Sequence, residues 1–164
     1  MKSLLTIALL SIGLSNLSIA QSAEKIVRSF LSNVRSGLRP DDAKLYMADT
    51  VLAHQVTSEN PTTVKRTPAN YTNHINEFKR LFGDYHFEIT ELIAGDDKVY
   101  VRWTQIGKHI TEIDGFEPTQ LPLIEYTSAV YRIEKKKIVE YWIQMDRLGF
   151  DVQLKANKVK TNTK

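Results

Sequence analysis

The stretch LIEYTSAVYRIEKKKIVEYWIQMDRLG, residues 123–149, alternates apolar and polar side chains in two runs separated by three lysines. Period-two alternation rich in β-branched and aromatic residues predicts two strands, Leu123 to Glu134 and Lys137 to Met145. They are joined across Lys135-Lys136, and so short a connection makes the pair an antiparallel hairpin. Upstream, Tyr85 to Ile93 and Lys98 to His109 repeat the pattern across Gly95-Asp96-Asp97. Before Asp84 the period is helical. Ile26, Phe30, Leu31 and Val34 form one apolar stripe ended by Gly37, and Pro40, Asp41 and Asp42 open a second short helix that runs to about Ala48. Thr67 caps and Pro68 starts a third, with Tyr71, Ile75, Phe78 and Phe82 on one face. Val51 to Val56 reads as a short strand, Thr57 to Lys65 as a loop, and Arg147 to Leu154 as a short closing helix. The fold class is α+β: a curved antiparallel sheet packed against three N-terminal helices. Its concave face should leave an apolar cavity, the natural place for a small ligand.

The chain has 164 residues, 42% of them hydrophobic and 25% charged, the composition of one ordinary globular domain. Residues 1–20 carry Lys2, an apolar stretch from Leu4 to Leu14 and the small-residue end Ser18-Ile19-Ala20, and read as a secretory signal. The apolar run is too short for a membrane span. The expectation is export to the periplasm or the extracellular medium, with no stable membrane insertion once the signal is cleaved. Residues 21–154 form the domain, and 155–164 read as a basic, disordered tail. Removing Lys2, Lys155, Lys158, Lys160 and Lys164 leaves 17 bases against 19 acids in the domain, which gives no electrostatic footprint for nucleic acid. No cysteine is present, which excludes disulfides, thiolate metal sites and cysteine nucleophiles. Four histidines lack HExxH or other ligand spacing, so no metal is expected, and no nucleophile elbow, phosphate loop or dinucleotide fingerprint points to a cofactor.

Three segments carry a resemblance. LIAGDDKVYVRWTQIGKH (residues 92–109), DGFEPT (114–119) and YRIEKKKIVEYWIQMDRLG (131–149) resemble the SnoaL-like polyketide cyclase, or ester cyclase, family of the nuclear transport factor 2-like superfamily. The resemblance implies a cone-shaped α+β barrel, cofactor-free chemistry, and homodimers formed through the sheet. It implies a general acid or base at Asp146. Strand parity adds that Glu140, Trp142, Gln144 and Asp146 share one face of the last strand. On a cavity-lining face Asp146 would be desolvated beside Trp142, while the same residue is also placed to cap a helix starting at Arg147. Trp103 and His109 match recurrent family positions beside the pocket, and Trp103 shares its face with Val99 and Val101. Tyr126 is a further wall candidate. His54, in the early strand, and His74, beside the buried helix face, are possible acid–base partners of Asp146. His86 is expected to be exposed. The reading that results is an exported domain binding a small apolar carbonyl-type molecule, with isomerase, cyclase or dehydratase chemistry. The alternative is a non-catalytic binding or scaffold protein. Where the family has Asp-Gly in the final hairpin, this chain has Lys135-Lys136, so its turn must be built differently.

Overall fold

A computed structural model of the chain describes residues 21–162; the signal reading of residues 1–20 lies outside the described residues. Helix α1 covers residues 21–30 and continues as a π turn over Leu31–Arg35, closed by the Ser36 N–H donating to the Leu31 carbonyl. Gly37 then takes φ 79°, and its N–H donates to the Val34 carbonyl, which ends the helix as its sequence position suggested. A 3₁₀ turn at Pro40–Asp42 leads into the single turn α2, Ala43–Tyr46, followed by β1, Met47–Gln55, and β2, Thr62–Arg66. Helix α3, Pro68–Phe82, opens with the expected Thr67 cap, which forms a reciprocal capping box with Asn70. It buries Tyr71, Ile75, Phe78 and Phe82, the four residues its periodicity selected. Strands β3, His86–Ala94, β4, Lys98–Lys108, β5, Pro122–Glu134, and β6, Lys137–Met145, follow, and α4 spans Arg147–Asn162.

The six strands form one curved, unclosed sheet in the order β2-β1-β6-β5-β4-β3. It is mixed rather than purely antiparallel, because β1 pairs parallel with β6 and so ties the N-terminal half to the C-terminal half. Strand β2 replaces part of the loop expected over residues 57–65. Its sequence, TTVKR, lacks an apolar face because it is an edge strand paired on one side only.

One sheet face carries the core. Val99, Val101 and Trp103 of β4 and Ala129 and Tyr131 of β5 lie against Val27, Phe30, Leu31 and Val34 of the first helix and Tyr71 and Ile75 of α3. A second, smaller cluster joins Phe78 and Phe82 to Leu123 and Leu154. Helix α4 is longer than expected and includes residues 155–162, which read as a tail in the sequence. It runs past the end of β6, where β5 would have an open edge. Gln153 supplies the missing pairing, accepting from the Ile124 N–H at 2.9 Å and donating to the Ile124 carbonyl at 2.9 Å, while Asn157 donates to the Pro122 carbonyl at 3.0 Å. Among the described residues no helix is long and apolar enough to cross a membrane.

Candidate functional site

The deepest polar group on the inner sheet face is an ion pair. Arg35 lies on the apolar stripe Val27-Leu31-Arg35 of the first helix, and its Nη2 meets Glu125 Oε1 at 3.1 Å, both side chains at least 95% buried. Glu125 alternates inward with Leu123 and Thr127 on β5, and the Thr127 hydroxyl donates to the same oxygen at 2.9 Å. Register sets Gln105 opposite Glu125 and Trp103 opposite Thr127, so four polar side chains share this stretch of the inner face of β4 and β5. That guanidinium stacks 4.5 Å from the Phe78 ring and 5.5 Å from Trp103. Burial opposes its charge, but Tyr71 and Glu125 outweigh burial and hold its pKa above the ordinary value.

Four polar atoms in this interior are sealed from solvent without a hydrogen-bond partner: Arg35 Nε, Trp103 Nε1, Gln105 Oε1 and His109 Nε2. An orphaned buried donor or acceptor costs about 1–3 kcal/mol, so such a cluster is expensive unless something fills it. A crevice of about 160 Å³ lined by Phe82, Gln105, Gly107, Leu123, Glu125 and Phe150 reaches the pair, too tight to admit water. Aromatic side chains fill most of the concave face, which is why the roomy cavity expected there is reduced to a slot. The walls shift the groups they enclose. Burial drives His74 down to about 3, aided by Arg35 and Arg66, and pushes the Tyr85 phenol up to about 12.

The sequence candidates divide between two faces. Trp103 and His109 are fully buried inside, His109 Nδ1 lying 3.3 Å from the Thr119 hydroxyl, and His74 packs edge-on against Tyr71 and Phe78. Tyr126, Glu140, Trp142 and Gln144, expected in the cavity, are on the opposite face. Tyr126 follows the alternation of β5, in which Glu125 and Thr127 point inward; for the three residues of β6 the cause is a bulge: Glu134 pairs with Lys137 and Ile133 with Ile138, but Arg132 pairs with Glu140, leaving Val139 unmatched. Without that extra residue Trp142 would face Ala129 on the inner side; with it, Trp142 faces Val130 outside. Asp146 is likewise exposed, and the desolvation expected for it is corrected. It caps α4, its Oδ1 accepting from the Gly149 N–H at 2.9 Å.

The outer residues are organised among themselves. His54 Nε2 lies 2.9 Å from Glu140 Oε1 and its Nδ1 2.8 Å from the Thr63 hydroxyl, and its ring stacks on Trp142 at 5.0 Å. Arg132 Nε donates to the other Glu140 oxygen at 2.8 Å. Arg132, then His54, holds the Glu140 carboxyl below its usual range. Tyr126, Gln144 and Asp146 come together in an open groove of about 1190 Å³ shared with Arg102 and Leu148. Water reaches this groove freely, so it offers no desolvation. His54 and His74 therefore lie on different faces, and neither joins Asp146. Sequence reasoning missed Arg35, Glu125 and Gln105. Their signal was present: each is a charged or amide residue at an apolar position of an otherwise apolar stripe or strand face.

Residues 25–154 match the family described as SnoaL-like polyketide cyclase. No curated protein matches the sequence. Among solved structures, a protein of Acidithiobacillus ferrooxidans assigned as a polyketide cyclase superposes with TM-score 0.72 at 24% identity, covering 83% of this chain and 96% of its own. A SnoaL-like polyketide cyclase of Agrobacterium tumefaciens gives 0.64 at 15% identity, covering 80% and 97%. An epoxide hydrolase of M. tuberculosis, of the LEH-like kind, gives 0.62 at 13% identity, covering 85% and 94%. At these identities the structures establish a shared fold, and the residues of the site speak for themselves.

Proposed function

The chain belongs to the SnoaL-like polyketide cyclase family, and from that premise we propose that it is an exported domain that binds a small, largely apolar carbonyl compound beside Arg35 and Glu125 and moves a proton on it without a cofactor. The observation that carries this reading is the fully buried Arg35–Glu125 pair, with the orphaned Arg35 Nε in the pair itself, Trp103 5.5 Å from the guanidinium and Gln105 opposite Glu125 in the register. Arg35 Nε and Trp103 Nε1 are donors without acceptors, the arrangement that polarises a carbonyl oxygen and stabilises an enolate. Glu125 is the carboxylate within the same enclosure, suited to take and return the α-proton. This is the chemistry shared by isomerisation, aldol cyclisation and dehydration. The Phe82 and Phe150 rings, 5.9 Å apart, form the crevice wall where α3 meets α4. We further propose that two copies pair through the outer sheet face.

The test is thermal unfolding of the purified protein with ketones, lactones, steroids and fatty acids, run beside Glu125→Gln and Asp146→Asn. A ligand at about 100 times its Kd adds about 2.7 kcal/mol to stability, a shift of several degrees. The expected result is a stabilising compound that the wild type and Asp146→Asn convert and Glu125→Gln binds without converting. If no compound raises the melting temperature, the ligand reading fails. If Asp146→Asn loses conversion while Glu125→Gln keeps it, the chemistry belongs to the outer groove instead.

A further inference from the structure

Donors that hold a carbonyl oxygen leave one polar group of the interior unexplained. Gln105 lies on β4 between Trp103 and Gly107, all three on the inner face, and is 3% exposed. Its Oε1 is sealed from solvent with no donor in reach, and among the described residues its amide makes no side-chain hydrogen bond. The orphaned donors nearby do not relieve it: Arg35 Nε and Trp103 Nε1 are themselves unpartnered, so neither reaches Gln105 Oε1. Glu125, opposite Gln105 on β5, is the acid of the ion pair and brings only acceptors.

The crevice places this amide where a ligand would meet it. Of the residues that line it, Phe82, Leu123 and Phe150 are apolar and Gly107 has no side chain, so Gln105 and Glu125 are its polar groups. Both bonds to Glu125, from Arg35 and from the Thr127 hydroxyl, fall on Oε1, and Oε2 receives none among the described residues. An unbonded amide and a carboxylate with one unbonded oxygen thus share an apolar slot of about 160 Å³, close to the volume of a cavity that holds benzene. A plain carbonyl compound satisfies the orphaned donors and leaves the amide as it is, because a carbonyl oxygen cannot donate. A hydroxyl donates to Oε1 and accepts from Nε2, and it brings no charge against the Arg35 guanidinium, as an ammonium would.

We propose that Gln105 is a specificity-determining residue that hydrogen-bonds a hydroxyl, so the compound taken into the interior is a small hydroxy ketone, its carbonyl toward Arg35 and Trp103 and its hydroxyl toward Gln105. This rests on the interior being the ligand site and narrows its ligand class from carbonyl compounds to hydroxy-carbonyl ones. A buried amide left unpaired destabilises the free protein, and a site keeps such a group where binding needs it. A ligand of the same shape without the hydroxyl leaves the amide unpaired in the complex as well, which is how a hydrogen-bonding site rejects an apolar analogue.

The experiment has two arms, both on the purified protein. Thermal unfolding without ligand compares the wild type with Gln105→Leu, which keeps the size of the side chain and removes the amide; the variant should melt at a higher temperature. Calorimetric titration then uses pairs that exchange a hydroxyl for a methyl group, acetoin against methyl isopropyl ketone and diacetone alcohol against methyl neopentyl ketone. Wild type should bind the hydroxy member of each pair at least about tenfold more tightly. Gln105→Leu should lose that preference, and Gln105→Asn should retain part of it. Equal affinity within the pairs in the wild type, a preference untouched in Gln105→Leu, or a lower melting temperature for that variant overturns the assignment. If plain ketones bind and the hydroxyl adds nothing, the interior site stands and only the Gln105 contact falls. If no compound of either kind binds, the interior reading falls with it. The wild-type pairs keep the test decisive should either variant fold poorly.

Discussion

Asp146 takes a helix N-terminus and Glu125 takes a buried arginine, and what separates the two carboxylates is the neighbour each finds at the end of its strand or in the middle of it. Asp146 stands where β6 gives way to α4, and its side chain accepts from the Gly149 N–H, one of the helix's unpaired donors. Asp146→Ala should therefore lower stability by about 1 kcal/mol, and Asp146→Asn, which caps equally well, by much less; urea unfolding of the two variants measures the difference. Equal losses would show that the cap is not what Asp146 contributes. His74 gives a pH dependence whose sign is fixed. Burial first, then Arg35 and Arg66, hold its folded-state pKa at about 3 against an ordinary 6.5. As pH falls below 6.5 the unfolded chain takes up a proton that the folded one refuses, so stability is complete above 6.5 and is lost progressively toward 3. The loss is at most about 1.4 kcal/mol per pH unit for one proton. Between pH 6.5 and about 5, above the range of the carboxylates, His74→Gln should flatten the slope of unfolding free energy against pH. An unchanged slope in that window would mean that His74 is not held neutral.

At the scale of elements, the sequence was most readable where one signal decided. The Thr67 cap, the four-residue stripe of α3 and the limits of β6 each depend on local chemistry alone, and the structure has all three. Reading failed where the answer lay between strands. Parity correctly grouped Glu140, Trp142 and Gln144, but parity cannot say which face is inside. That was settled by a single extra residue, Val139, whose bulge turns the group outward. Arg35 and Glu125 were passed over because a charge on an apolar face looks like an interruption until its partner, ninety positions away in the chain, is known. Strand β2 was missed for the opposite reason, having no apolar face to betray it. The hairpin that ends in the bulge makes its own prediction. The different turn expected from Lys135-Lys136 is not found: the two lysines take φ of 49° and 62°, the same left-handed pair that Asp-Gly or Asn-Gly adopts most readily in a two-residue turn. Non-glycine residues pay about 1–2 kcal/mol in this region, so Lys135→Asn with Lys136→Gly should stabilise the protein by about 1–2 kcal/mol, read as a higher melting temperature. A lower melting temperature would show that the lysines contribute more than turn geometry, for instance through the bonds of neighbouring Lys137 to the carbonyls of Lys44 and Leu45.

The whole molecule is a sheet used on both faces, and the two faces divide the labour. The inner face is spent on the helices packed against it and on the buried Arg35–Glu125 pair. The outer face is left without a covering layer: Ile93 is 58% exposed, Tyr126 54% and Ile106 38%. Between these apolar side chains lie charges of both signs, with Arg102 3.2 Å from Glu91 and Arg132 bound to Glu140. A face that mixes signs in this way can meet its own two-fold copy with arginine set against glutamate, and apolar residues at the centre then gain what they now lose to water. The bulge at Val139 turns Trp142 outward and so adds an indole to this face, where a second copy would meet it. The expected outcome of light scattering on the purified protein is a mass twice that of one chain. Ile106→Glu combined with Tyr126→Glu should bring the mass to that of a single chain while leaving the far-ultraviolet circular dichroism unchanged, because neither side chain supports the core. Binding of ligands inside should survive the separation, since every residue of the interior site comes from one chain. A single-chain mass for the wild type at micromolar concentration would remove the pairing and leave the outer face as bare surface, and loss of ligand binding in the double variant would instead mean that the two faces are coupled through the sheet.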